Sequence, residues 1–156
     1  MKRASPNLRA LKKTPPAVAG VVRELAVFRY NLRKFLRFSE RAARQFGVTP
    51  QQHQLMLGVA GHTGRGTASI SELAEFLQER HHSVVELIER AVQKGLVYRE
   101  HDTVDRRVVM VSLTPLGEET LSKLSTLHHE EITRVRAGFL NISETSSLLS
   151  REEKKA

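Results

Sequence analysis

The side chains best suited to contact another molecule lie in one polar segment of the 156-residue chain, which contains Arg80, His81, His82, Ser83 and Glu86. Imidazole and hydroxyl groups exchange hydrogen bonds with base edges and phosphates, and a carboxylate accepts one from a cytosine amino group. The alternative is that these are ordinary exposed turn residues, with Glu86 simply solvated. We favour contact with DNA, because the segment opens the second helix of a helix-turn-helix pattern.

A second polar group, Asp105, Arg106 and Arg107, stands at the tip of a predicted hairpin. The negative potential of the DNA minor groove attracts guanidinium groups, so both arginines are candidates for contacts in or beside that groove. The alternative is a solvent-exposed turn, for which this composition is common. We favour the DNA role here as well.

The remaining histidines and acids form no catalytic or metal-binding set. The run His128-His129-Glu130-Glu131 has ligand types, but adjacent side chains on a helix point about 100° apart and do not converge on one ion. There is no cysteine, which excludes thiolate zinc sites, iron–sulfur clusters and disulfides. No nucleophile elbow, P-loop, dinucleotide-binding glycine pattern or zinc-protease motif occurs. We therefore expect no enzyme, no cofactor and no metal.

Two short helices are predicted to position the first polar group. Ser69-Ile70-Ser71-Glu72 is a capping box that begins a helix ending near Leu77, and Thr49 to Gln52 begins an earlier helix in the same way. The next helix runs from Ser83 to Lys94 and ends at Gly95. Its inward positions are Val84, Leu87, Ile88 and Ala91. This arrangement is a helix-turn-helix candidate.

Two strands, Leu96–Arg99 and Arg107–Leu113, are predicted on either side of the second polar group by their alternating apolar residues. The predicted fold class is therefore mainly α with a small β-hairpin. It is a winged helix-turn-helix over residues 49–115.

Long helices flank this predicted domain. Apolar residues recur at steps of three and four through residues 17–46, and residues 116–156 return to the same spacing, with a short last helix expected after Ser143. One such chain has too little of its own surface to cover the first stripe, so we expect these segments to be dimerisation helices. Residues 1–16, rich in basic residues and proline, are expected to be a flexible tail.

The net charge of +8 is unevenly distributed. Residues 1–46 hold 12 Lys and Arg against 2 Glu, whereas residues 47–156 hold 13 basic and 15 acidic residues. The total suggests a polyanionic partner, while the second region alone argues for weak phosphate binding. No apolar run is long enough to span a bilayer and no signal peptide is visible, so a cytoplasmic protein without membrane contact is expected.

Residues 77–117 resemble the winged helix-turn-helix of the MarR family of bacterial transcriptional regulators. The features that match in order and spacing are Val84-x-x-Leu87-Ile88-x-Arg90, Lys94-Gly95-Leu96-Val97, Asp105-x-Arg107 and Leu113-Thr114-Pro115-x-Gly117. Three residues depart from the pattern: Glu79 replaces an aliphatic residue, Arg80 a small capping residue and Ala91 a leucine. These departures bear on the packing of the turn and leave the fold assignment intact.

The resemblance implies a homodimer that places recognition helices in two successive major grooves, about 34 Å apart, of a pseudo-palindromic operator. It assigns the minor-groove contact most directly to Arg107, with Asp105 bracing the hairpin and Arg106 contacting phosphate. It also implies a phenolic or other aromatic anionic effector between the dimerisation helices and the winged domain. Candidate effector contacts are Arg29, Arg33 and His53, although a lone histidine such as His53 more commonly has a structural role.

These observations predict a dimeric, sequence-specific repressor of double-stranded DNA that a small molecule releases. One alternative is a winged helix that serves as a protein-interaction or nonspecific architectural module. Another is a small-molecule or metal sensor whose DNA binding is secondary or lost.

Overall fold

The computed structural model describes the backbone of residues 16–152 and the side chains of residue 18 and residues 20–136. The elements in chain order are α1 (Pro16–Gln45), α2 (Pro50–Leu57), a π-helical segment (Gly58–His62), β1 (Thr67–Ser69), α3 (Ile70–Leu77), α4 (His81–Gln93), β2 (Val97–His101), β3 (Val109–Leu113) and α5 (Pro115–Glu152). The predicted fold class, mainly α with a winged helix-turn-helix, is confirmed. The predicted tail, residues 1–16, lies outside the described residues except for Pro16.

Both predicted capping boxes are present. Thr49 Oγ1 accepts a hydrogen bond from the Gln52 N–H at 3.1 Å, and Gln52 Oε1 accepts one from the Thr49 N–H at 3.0 Å. Ser69 and Glu72 make the equivalent pair of bonds at the start of α3. The Ser69 N–H and, next, the Arg65 guanidinium lower the pKa of Glu72 to about 2, because both stabilise the carboxylate. These bonds satisfy N–H groups that a helix start would otherwise leave unpaired.

The sheet has three strands where the sequence predicted two. Its antiparallel order is β1-β3-β2, with Ala68 opposite Val111 and Arg99 opposite the same residue on the other side. The sequence did not predict β1, because three residues are too few to show an alternating pattern. Pairing on both edges makes β3 the central strand and buries Val111 completely.

Two helix boundaries also differ from the predictions. α4 begins at His81, two residues before the predicted Ser83. α5 continues to Glu152, so the prediction of a separate short helix after Ser143 is wrong. Residues 139–152 contain neither proline nor glycine, and nothing in the local sequence ends the helix there.

The hydrophobic core lies within one compact unit, Phe35–Arg134. It joins the inward faces of the helix-turn-helix to α2, the sheet and the first half of α5. The large side chains buried completely or almost so include Leu55, Met56, Leu73, Val84, Ile88, Val97, Val111 and Leu124. The described parts of a second unit are residues 16–34 and 135–152.

Candidate nucleic-acid interface

The first turn of α4 displays the polar residues singled out from the sequence. Arg80, His81, His82 and Glu86 are exposed, and Ser83 is half-buried. The opposite face anchors the helix, because its four predicted inward residues, Val84, Leu87, Ile88 and Ala91, are all buried. The leading end of α4 therefore offers imidazole, guanidinium and hydroxyl groups to a partner from a fixed support.

The backbone at this end is equally available to a partner. Arg80 is the N-cap of α4, and its side chain makes no capping hydrogen bond. The Arg80 carbonyl accepts a hydrogen bond from the Val84 N–H at 3.1 Å, and this is the first hydrogen bond of the helix. The N–H groups of the residues before Val84 therefore have no carbonyl acceptor within the helix. Such N–H groups, together with the helix dipole, favour a phosphate.

The turn between α3 and α4 accommodates the unusual Glu79. Gln78 adopts a left-handed conformation, φ 54°, and its side-chain amide donates to the Glu75 carbonyl at 2.6 Å. The Glu79 N–H donates to the Ala74 carbonyl at 3.1 Å, which closes the end of α3. The Glu79 side chain is exposed, so its charge is not carried into the core. The helix-turn-helix forms without the usual aliphatic residue.

Glu86 lies one turn further along the exposed side of α4. Its carboxylate is 3.8 Å from the Arg90 guanidinium, and both side chains are exposed. An exposed pair of this kind contributes little to stability. Glu86 therefore remains free to exchange this partner for a base edge.

Aspartate side chains hold the tip of the wing, the loop between β2 and β3. Asp102 Oδ1 accepts from the N–H groups of Val104 at 2.7 Å and Asp105 at 2.9 Å. These two bonds, with that from Asp105 first, lower the pKa of Asp102. Asp105 Oδ1 in turn accepts from the Arg107 N–H at 3.0 Å and from Arg107 Nε at 3.2 Å.

The guanidinium of Arg107 is thus oriented by Asp105 while its side chain stays 92% exposed. Arg106 is also exposed, and its carbonyl accepts a hydrogen bond from His101 Nδ1 at 2.8 Å. The three predicted wing residues therefore lie together on one loop. Asp102 is a further functional residue that was not predicted from the sequence, although an aspartate at this spacing from Asp105 is typical of a turn.

The three candidate effector residues lie in different environments. Arg29 and Arg33 are exposed on α1, whereas His53 on α2 is only 2% exposed. The His53 ring packs against the ring of His128 on α5, with centroids 4.8 Å apart. Burial first, and then the neighbouring His128, lower the pKa of His53 to about 4.

His128 links three helices inside the Phe35–Arg134 unit. Its Nδ1 donates to the Leu124 carbonyl at 2.7 Å, which leaves Nε2 to accept from the Ser39 hydroxyl at 2.9 Å. The ring also makes edge contacts with Phe35 and Phe38 of α1. The sequence does not predict this pairing, because His53 and His128 are 75 positions apart.

An open cleft of about 310 Å³ lies between the segment after α2, β3 and the start of α5. Leu113 and Leu121 supply apolar lining, and Glu118, Ser122 and Ser125 supply polar groups. The Glu118 carboxylate disfavours an anion, so this cleft is a poor match for the predicted effector.

Among the described side chains, no group of three or more histidine or acidic residues is arranged to hold a metal ion. None of the described helices is long and apolar enough to cross a membrane.

Two packed helices with an exposed polar leading end, flanked by a wing that carries arginines, define a winged helix-turn-helix protein. The model of the MarR family matches residues 46–108. This segment is a MarR-family winged helix-turn-helix, as the sequence resemblance predicted. This is a family of regulators, so the expectation that the protein is not an enzyme is also confirmed.

Individual relatives agree with this assignment. The chain is 38% identical over 72 residues to the transcriptional repressor MdtR of Bacillus subtilis, a match that covers 46% of this chain and 44% of that protein. The chain spans about half the length of the curated relatives it matches.

Solved structures share the fold. AbsC, a MarR family regulator from Streptomyces coelicolor, superposes with a TM-score of 0.67 at 20% identity, covering 92% of this chain and 97% of that one. The MepR–DNA complex of S. aureus superposes with a TM-score of 0.63 at 19% identity, covering 84% of this chain and 96% of that one.

Proposed function

We propose that this protein is a dimeric, sequence-specific repressor that binds operator DNA in the cytoplasm. One observation carries the proposal: the two exposed polar groups, at the start of α4 and at the wing tip, stand on elements whose other faces are buried in the same core. MdtR is a repressor by name, and the MepR complex contains DNA, which supports the same role here.

The proposed contacts follow from the chemistry of each group. Arg80, His81, His82 and Ser83 enter the major groove, where imidazole and guanidinium groups hydrogen-bond to base edges or phosphates. Glu86 accepts from a cytosine amino group. At the wing, Arg107 enters the minor groove, where negative potential favours its charge, and Arg106 contacts phosphate. Asp105 keeps Arg107 in position.

A second copy of the chain is proposed to cover the first half of α1. Val18, Val21, Val22 and Leu25 are each between 48% and 56% exposed. Four large apolar residues on two helical turns form a continuous strip, which is costly to leave in water. An identical strip on another copy is a self-complementary partner, as a two-fold interface requires.

We also propose that an aromatic anion releases the repressor from DNA. The exposed guanidinium groups of Arg29 and Arg33 provide cationic groups for a carboxylate or phenolate. The burial of His53 makes it a less direct contact than the two arginines. Release requires that the anion bind the DNA-free state more tightly than the DNA-bound state.

Fluorescence anisotropy with a duplex selected from random DNA tests sequence-specific binding. We expect a preference of about a thousandfold or more over a scrambled duplex at physiological salt.

Arg107→Ala should weaken binding about tenfold, because it removes a charged minor-groove contact. Arg44→Ala removes the same charge from an exposed position on α1 and is the matched control.

Equal affinity for both duplexes, lost together as salt rises, would identify a nonspecific architectural binder instead. In that case the phosphate contacts would depend mainly on the basic residues 1–46, because residues 47–156 are close to neutral. Adding salicylate to the preformed complex extends the assay to the effector. A fall in anisotropy that Arg29→Gln abolishes supports the proposal, and no fall contradicts release by this class of anion.

Sedimentation at micromolar concentration tests the dimer. Leu25→Glu should convert the dimer to monomer, because it places a charge within the apolar strip. Arg23→Gln changes the net charge by the same amount at an exposed polar position of α1 and should leave the dimer intact. A wild-type monomer at this concentration, or a dimer that survives Leu25→Glu, would contradict the proposed interface.

A further inference from the structure

An apolar side chain stands at the tip of the polar wing. Val104 is 94% exposed, whereas the next most exposed large hydrophobic residues among the described side chains reach 56%. Its two neighbours in the chain, Thr103 and Asp105, are both polar. Valine is rare in hairpin tips, which favour glycine, asparagine and aspartate. If the wing reaches DNA, as the proposed function requires, Val104 is exposed at the point of contact.

The loop presents this side chain in a fixed orientation. The Val104 N–H donates to Asp102 Oδ1, and the Asp102 N–H donates to the Val108 carbonyl at 2.9 Å. The Val108 N–H donates to the Asp105 carbonyl at the same distance, which closes the loop from the other side. Valine itself has a restricted χ1 angle. Little conformational entropy remains to be lost when the two methyl groups meet a surface.

The charges beside Val104 indicate what kind of surface this side chain contacts. Arg106 and Arg107 follow it within three residues, and both are exposed. A protein or lipid surface that accepts an apolar side chain would have to accept these two cations as well. The DNA minor groove offers both features together: apolar deoxyribose walls and a negative potential.

We propose that Val104 packs against the deoxyribose walls and floor of the minor groove, where it favours A·T over G·C base pairs next to Arg107. This inference rests on the proposed function, since it requires the wing to reach DNA. The floor of a G·C pair carries the guanine amino group, a donor that A·T pairs lack. Methyl groups packed over that donor shield it from water without accepting its hydrogen bond, which makes G·C unfavourable.

Three versions of the selected duplex test the inference. Hydroxyl-radical protection that disappears in Arg107→Ala first locates the base pairs under the wing. These pairs are then made A·T, G·C or inosine·C. Inosine lacks the amino group, so an inosine·C pair resembles A·T in the minor groove and G·C in the major groove. The wild-type protein should bind the A·T and inosine·C duplexes alike and the G·C duplex about tenfold more weakly.

Val104→Thr keeps the shape of the side chain and replaces one methyl group by a hydroxyl that can accept from guanine. We expect it to reduce the tenfold preference to less than threefold. Thr103→Ser, at the neighbouring exposed position, should leave the preference unchanged. An unchanged preference in Val104→Thr would overturn the inference, as would a wild-type protein that does not discriminate G·C from inosine·C.

The two proposals fail in different ways. If the wild-type protein does not prefer the selected duplex to a scrambled one, the proposed function fails. If it does, but Val104→Thr behaves like wild type, the role of Val104 alone fails. If the wing protects no base pairs, the proposed DNA contacts of Arg106 and Arg107 fail together with that of Val104.

Discussion

Gly117→Ala is expected to destabilise the protein by about 3 kcal/mol or more, at the upper end of the range for overpacked sites. A Cβ atom at this position would lie 2.1 Å from the carbonyl oxygen of Leu96. Real Cβ atoms essentially never approach another heavy atom so closely. Either α5 or the start of β2 must therefore move.

Neither element can move without losing other bonds. The Leu96 carbonyl accepts from the Thr114 N–H at 3.1 Å, and the Thr114 hydroxyl donates to the Gly95 carbonyl at 2.5 Å. The same hydroxyl accepts from the Gly117 N–H at 3.0 Å. These bonds connect the end of α4 to the start of α5. A displacement of Gly117 therefore weakens the support of α4 as well.

Urea unfolding followed by circular dichroism measures this effect. Gly61→Ala is the control, because a Cβ there meets nothing within 4 Å and Gly61 is exposed. That variant should be as stable as wild type or slightly more stable, since alanine loses less backbone entropy on folding. Similar unfolding midpoints for the two variants would show that the contact at Gly117 relaxes easily.

Much of the scaffold was predictable because its signals are local. The capping boxes at Thr49 and Ser69 depend on residues three positions apart, and the inward face of α4 depends on helical spacing. The termination of α4 just before Gly95 could also be predicted, because the left-handed conformation after the helix favours glycine. In contrast, β1 and the steric need for Gly117 depend on partners distant in sequence or on backbone geometry.

Some residues of the proposed interface could be predicted from the sequence, and others could not. The leading residues of α4 and the wing arginines are exposed polar groups at element ends, so composition and position were enough to select them. Asp102 and Val104 acquire their significance only when hydrogen bonds and exposure are known. The pairing of His53 with His128 could not be predicted, since α2 and α5 meet only in the folded chain.

The buried histidine pair leads to the second large effect, a loss of stability in mild acid. The pKa of His53 is about 4 in the folded protein and 6.5 for the unperturbed side chain. The unfolded state therefore binds the proton more tightly, and stability falls as the pH decreases from 6.5 towards 4. A difference of this size corresponds to a loss of about 3 kcal/mol over that interval.

His53→Phe separates this contribution from those of the acids. Phenylalanine fills a similar volume beside His128 and cannot take up a proton, so the variant should lose most of the decline between pH 6.5 and 4. Glu72 does not obscure the result, since both proteins contain it and its pKa, lowered from 4.5 to about 2, places most of its own effect below pH 4.5. His129→Gln removes an exposed histidine from the same helix as His128 and should retain the wild-type decline.

Free energies of unfolding in urea, measured at half-unit pH steps, provide the comparison. If the free energy of unfolding falls equally steeply in wild type and in His53→Phe, the acid sensitivity arises elsewhere, because only the wild-type protein has a proton acceptor at position 53.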